Sequence, residues 1–106
     1  MWAQLIKTRL KPGREHDLGR LYEQLQAVEQ VGSGLVRSTA MRDQNDPGSV
    51  YMLVVFESEE KARARENDPR REDGLQAARA TMDEIFESAP EFTDLVVVAE
   101  TPGKSG

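Results

Sequence analysis

The sequence predicts an α+β domain with a ferredoxin-like split βαβ sandwich, in which a four-stranded antiparallel sheet carries its helices on one face. Three observations point to it. The hydrophobic period changes along the chain in the order strand, helix, strand, strand, helix, strand. Breakers stand at the junctions: Pro12-Gly13, Gly32-Ser33-Gly34, Asp46-Pro47-Gly48 and Ala89-Pro90. The length, 106 residues, is enough for one domain with one real core. The domain is expected over residues 1–100, with 101–106 as a disordered tail.

The first strand runs from Trp2 to Lys11. Alternation puts Trp2, Gln4, Ile6, Thr8 and Leu10 on one face and Ala3, Leu5, Lys7 and Arg9 on the other. From Arg14 to Gln30, Leu18, Leu21, Tyr22, Leu25 and Val28 recur at spacings of three and four, while Glu15, Arg20, Glu23, Gln24 and Glu29 fall off that stripe. Gly32-Ser33-Gly34 ends this helix, and a strand follows from Leu35 to Arg42. The turn Asn45-Asp46-Pro47-Gly48 joins it as a hairpin to a strand from Ser49 to Glu57. Ser58 is placed to N-cap a short helix with Glu59 and Glu60 in its first turn. That helix stops near Asn67-Asp68-Pro69, because proline disfavours helix in the residue before it. A longer helix from Arg70 to Glu87 carries Leu75, Ala78, Met82, Ile85 and Phe86 on one stripe, and the last strand spans Phe92 to Ala99.

The third strand is apolar on both faces, with Val50, Met52, Val54 and Phe56 on one and Tyr51, Leu53 and Val55 on the other. The fourth repeats the pattern, with Val96 and Val98 opposite Leu95 and Val97. A strand with one face in water should alternate apolar with polar. Two helices cover one face only, and no loop is long enough to cover the second. A second copy of the chain is the simplest cover, so a homodimer is expected.

Composition narrows the chemistry. With 19 acidic and 14 basic residues the formal net charge is -5, which argues against nucleic-acid binding, since phosphates need a basic face. Zero cysteines and one histidine exclude thiolate chemistry and any two-histidine zinc or iron site, so neither metal nor cofactor is expected. No signal-peptide pattern opens the chain. The run Leu95-Val96-Val97-Val98-Ala99 is far below the roughly 20 residues that span a bilayer. The expected setting is cytoplasmic, away from membranes.

Several segments carry a resemblance. Leu10-Lys11-Pro12-Gly13 closes the first strand, and Gly32-Ser33-Gly34-Leu35 opens the second. Asp46-Pro47-Gly48 is followed by Val54-Val55-Phe56-Glu57-Ser58-Glu59-Glu60-Lys61-Ala62. In order and spacing, from Trp2 to Ala99, the chain resembles the antibiotic biosynthesis monooxygenase-like group of dimeric α/β-barrel proteins. The resemblance implies pairing through the sheets and a ligand pocket between helices and sheet. It also implies a range of activities that includes cofactor-free oxygenation of quinol-like or polyketide aromatics, haem degradation and isomerisation. Many members have tryptophan where this chain has Phe56. The haem degraders have asparagine near Ile6 and a histidine on the second helical region, whereas the one histidine here, His16, opens the first helix. The haem-degrading branch is therefore disfavoured.

The pocket implied by the resemblance would be lined by Trp2, Ile6, Tyr22, Met52, Phe56, Met82 and Phe86, with Thr8, Val54, Leu21 and Leu25 beside them. Trp2 reads more readily as packing than as a gate. A buried Tyr22 hydroxyl needs a partner, and Tyr51 belongs to the outer face. Met41, Met52 and Met82 suit an adaptable apolar pocket, although methionine fills gaps in any core. Lys7, Arg9 and Arg37 share the outer face and are expected to pair with Glu57 or Asp94. Lys61, Arg63 and Arg65, interleaved with Glu59, Glu60 and Glu66, read as a solvated helix face laced with ion pairs. His16 reads as solvent-facing rather than as a general base. No residue is assigned a catalytic role. Two functions follow: a cofactor-independent monooxygenase-like protein holding a small aromatic molecule, or a non-catalytic dimeric module that binds a small molecule or assembles.

Overall fold

The computed structural model describes residues 1–104; of the expected tail, Ser105 and Gly106 lie outside the described residues. Four strands, β1 (Trp2–Arg9), β2 (Leu35–Arg42), β3 (Ser49–Phe56) and β4 (Glu91–Val96), alternate with three helices, α1 (Leu18–Ala27), α2 (Glu59–Glu66) and α3 (Glu72–Ile85). Short 3₁₀ turns at Glu15–Asp17 and Pro69–Arg71 lead into α1 and α3. The sheet order is β2-β3-β1-β4 with every pair antiparallel, which is the ferredoxin-like arrangement.

Local chemistry sets the element ends. The Ser58 hydroxyl accepts from the Lys61 backbone N–H at 3.2 Å and starts α2. Asp68 accepts from the Arg70 N–H at 2.9 Å ahead of Pro69, so the chain enters α3 through a 3₁₀ turn instead of at Arg70 as expected. β1 stops at Arg9, two residues early. Leu10 makes only an isolated bridge to Phe86, its N–H going to the Gly48 carbonyl at 2.8 Å. β4 spans Glu91–Val96 rather than Phe92–Ala99, because its one partner begins at Trp2, opposite Val96. Beyond that point Val97 donates to the Met1 carbonyl at 3.1 Å and Val98 is exposed.

The helices pack on the face that carries Trp2, Ile6, Thr8, Val50, Met52, Val54 and Phe56. One cluster, with Leu10, Leu21, Val50, Ala78, Ile85 and Phe86, joins α1 and α3 to one end of the sheet. The other, with Trp2, Val54, Phe56 and Ala62, lies under α2 at the opposite end. The two longer helices approach closely at Gly74, where an added Cβ would sit 2.0 Å from Val28 Cγ1. Glycine inside a helix costs about 1 kcal/mol against alanine, and here it makes room for the neighbouring side chain.

The outer face departs from expectation. Ala3 and Val55 are almost fully buried there, at 3% and 2% exposure, with no helix above them. Leu95, Ala3, Val55 and Arg37 follow one another across the four strands. Arg37 Nη2 lies 2.8 Å from Glu100 Oε1. The chain leaving β4 at Val96 therefore runs over the outer face toward β2, far enough for the Glu100 and Arg37 side chains to meet. A segment long enough to cover part of this face does exist: it is the C-terminal stretch. Leu95, at the β4 end of this row, is exposed; farther along, Leu5, Tyr51 and Leu53 are half-buried and Met41 is exposed.

The expected outer-face ion pairs also differ. Arg9 pairs with Asp46 at 2.8 Å and Lys7 lies over the Tyr51 ring, while Glu57 pairs with Lys61. Asp94 stands beside Gln4 on the helix-covered face and accepts from Arg63 at 3.0 Å. Among the described residues no helix is long and apolar enough to cross a membrane.

Candidate functional site

A cavity of about 360 Å³ opens between the sheet's inner face and the helices. Strands β1 and β3 supply its floor through Ile6, Thr8, Met52 and Val54, the inward half of each alternation. Helix α1 supplies Leu21, Tyr22 and Leu25 at helical spacing, and Met82 and Phe86 come from α3 and its end. Phe92 of β4 and Pro90 before it complete one side.

Of the seven residues expected to line a pocket, Ile6, Tyr22, Met52, Met82 and Phe86 line this cavity, and Trp2 and Phe56 do not. Those two pack on each other, with ring centroids 5.9 Å apart, and Ala62 of α2 fills the space above them. The Arg63 guanidinium caps the Trp2 ring at 5.0 Å, and that of Arg65 lies 5.5 Å from Phe56. The larger rings thus close one end of the inner face instead of lining its opening.

The cavity is not uniformly apolar. Glu29, Arg65 and Arg71 are its charged lining residues. Arg65 holds the Glu29 carboxylate at 2.8 Å through Nη2 and 3.2 Å through Nε, so Arg65 does not share the solvated fate of Lys61 and Arg63. Burial raises the Glu29 pKa, but hydrogen bonds from Arg65 and Ser33 outweigh it and hold this carboxyl below its ordinary value. Arg71 is 5% exposed, and its Nη1 donates to the Arg65 carbonyl at 3.0 Å. Burial, reinforced by the neighbouring Arg65 charge, lowers its pKa, against the opposing pull of Glu29 and Asp68. The Tyr22 hydroxyl donates to the Ser38 carbonyl of β2, which meets the demand of a buried phenol. Among the described residues the buried Thr8 hydroxyl has no hydrogen-bond partner.

Sequence reasoning missed this charged end. Glu29 falls beyond α1, which stops at Ala27, so helical spacing no longer says where it points. Arg65 and Arg71 sit in a stretch dense with charge, where burial leaves no hydrophobic signature. His16, by contrast, is a solvent-exposed side chain. Among the described residues no three His, Cys, Asp or Glu side chains cluster as metal ligands would.

Fold and cavity together define a class: a ferredoxin-like domain with a small-molecule-sized cavity between sheet and helices. Residues 1–77 match the family model for antibiotic biosynthesis monooxygenase, and the chain belongs to that family. No curated protein sequence is similar enough to this chain to count as a relative. Solved structures share the fold at low identity. A crystallised variant of SnoaB, a cofactor-independent oxygenase from Streptomyces nogalater, superposes with a TM-score of 0.74 at 16% identity, over 96% of this chain and 97% of its own. NE2512 from Nitrosomonas europaea, a protein of unknown function, gives 0.72 at 18%, over 98% and 95%. PA3566 from Pseudomonas aeruginosa gives 0.69 at 16%, over 92% and 94%.

Proposed function

We propose that the inner cavity binds a small aromatic molecule and that the chain acts on it as a cofactor-independent monooxygenase, working as a homodimer paired through the outer face of its sheet. The observation that carries this reading is the cavity itself. At about 360 Å³, with mainly apolar walls and a few polar groups gathered in it, it has the size and lining of a ligand site. Family membership and the likeness to a fold neighbour that is a cofactor-independent oxygenase support the choice of chemistry.

In such a reaction an electron-rich substrate, as its anion, supplies the electrons that reduce dioxygen. For an activated methylene, one oxygen atom enters as a carbonyl and the other leaves as water with the two displaced hydrogens. The protein positions the substrate and excludes bulk water. The apolar floor of Ile6, Met52 and Val54 would hold the ring face, with Met82 and Phe86 on the opposite side.

One observation favours a non-catalytic binding module. Glu29, the one carboxylate lining the cavity, is held by Arg65 and is poorly placed to take a proton. An oxygen electrode separates the readings. Turnover of hydroquinones or anthrones above the buffer rate supports the oxygenase; a flat trace with ligand-induced thermal stabilisation supports the module.

A further inference from the structure

The charges around the cavity do not balance. Arg65 and Arg71 bring two cations and Glu29 brings one anion. Arg65 and Glu29 satisfy each other. Asp68, three residues before Arg71, is taken by Arg70, which donates to it through Nε and Nη2 as well as the backbone N–H, and the adjacent Glu72 pairs with Arg79. Among the described residues Arg71 has no carboxylate within ion-pair distance, although it is 5% exposed. Its Nη1 reaches a backbone carbonyl, and its Nε is buried with no hydrogen-bond partner. A guanidinium stays charged in proteins, and a buried charge that Glu29 and Asp68 offset only from a distance, each being paired elsewhere, is costly. The arrangement is that of a site awaiting a negative charge.

We infer that Arg71 is the docking point for an anionic oxygen on the cavity's ligand, so that the ligand is an aromatic acid and not a neutral aromatic. The acidic group is a carboxylate or an ionised phenol or enol, since either presents a charged oxygen to a guanidinium. The inference rests on the reading of the cavity as an aromatic site and adds the ligand's charge to it. Arg71 enters as a buried cation from the turn before α3, while the apolar floor of Ile6, Met52 and Val54 leaves the rest of the ligand in contact with hydrocarbon. Arg71 would thereby orient the ligand, with its acidic end toward α2 and α3.

Binding of matched probes to the whole protein tests this. The expected result is that 2-naphthoate binds at least about tenfold more tightly than uncharged 2-naphthamide, the scale of one charge-assisted hydrogen bond. Arg71→Gln should abolish that ratio and leave the affinity for naphthamide unchanged. Arg71→Lys, which keeps the charge, should keep part of it. A phenolate site would instead show as a lowered ionisation pH of bound 4-nitrophenol, read from its absorbance, with no naphthoate preference, and this also supports the inference. If Arg71 only caps α2, its replacement lowers the melting temperature and moves both affinities together, which overturns it. Should Arg71→Gln fail to fold, the acid-to-amide ratio of the unaltered protein decides. Equal binding of acid and amide with no shift for nitrophenol overturns the anion site alone, whereas no binding by any probe overturns the aromatic-cavity reading as well.

Discussion

The two faces of the sheet use the same strand alternation to different ends. On the inner face, residues such as Val50, Val54 and Phe56 are buried by the chain's own helices, and a cavity is left in the middle. On the outer face, Ala3 and Val55 are almost fully buried in the row whose end residue, Arg37, pairs with Glu100 of the C-terminal stretch. The next row, through Leu5 and Leu53, is apolar and incompletely covered, as is Leu95 at the β4 end of the first row. Apolar alternation in sequence therefore reports that a face will be covered but not by what. In this domain the cavity lies where helices and sheet enclose the space.

The difference can be broken most severely from the inside. Ile85 is fully buried in the cluster that joins α3 to the sheet. Ile85→Ala should cost about 2–5 kcal/mol in denaturant unfolding, since the transfer loss adds to a cavity that dense packing closes poorly. On the outer side the proposed homodimer predicts a mass of two chains by light scattering, which Leu53→Glu should reduce to one while leaving the fold in place, as read by circular dichroism. Persistence of the two-chain mass would show that Leu53 lies outside the pairing surface.

Acid sharpens the comparison because the inner Glu29–Arg65 pair is more sheltered than the outer-face Arg37–Glu100 pair. Glu29 titrates below its ordinary value in the folded chain, so its contribution is present above the unfolded value of 4.5 and is lost as pH falls through the folded one. Unfolding free energy should therefore decline below about pH 4.5, and Glu29→Gln should flatten that decline. The remaining slope belongs to the other paired carboxylates, including the half-buried Asp68, whose hydrogen bonds from the Arg70 side chain and backbone lower it to about 2. The smallest effect concerns the C-terminal stretch. Arg37→Ala removes an exposed ion pair with Glu100 and should cost under about 1 kcal/mol in the same unfolding measurement.

Much of the fold is legible in sequence, and particular residues show why. β2 was expected over Leu35 to Arg42 and forms there, because a glycine pair and a proline turn bracket it. β3 ends at Phe56, one residue before the expected Glu57, since the Glu57 N–H leaves the ladder for the Gly34 carbonyl at 2.9 Å. β4 was harder, because its valines run past the end of their only partner strand. At the candidate site, the apolar lining followed from period two in the strands and from the α1 stripe. The charged end did not. Glu29, Arg65 and Arg71 are brought together by a loop, a short helix and a 3₁₀ turn, and no periodicity links such positions. Trp2 and Phe56 were placed on the correct face, but periodicity cannot tell whether a ring fills a core or borders an opening.

The methionines offer the most direct test of the central claim, that the inner face receives the small molecule. Met52 and Met82 line the cavity, whereas Met41 lies on the outer face beside Tyr51. Methyl resonances of labelled methionine can be followed during titration with 2-naphthoate. Shifts at Met52 and Met82 with Met41 unmoved are the predicted result; a shift at Met41 with Met52 and Met82 unmoved would contradict the account.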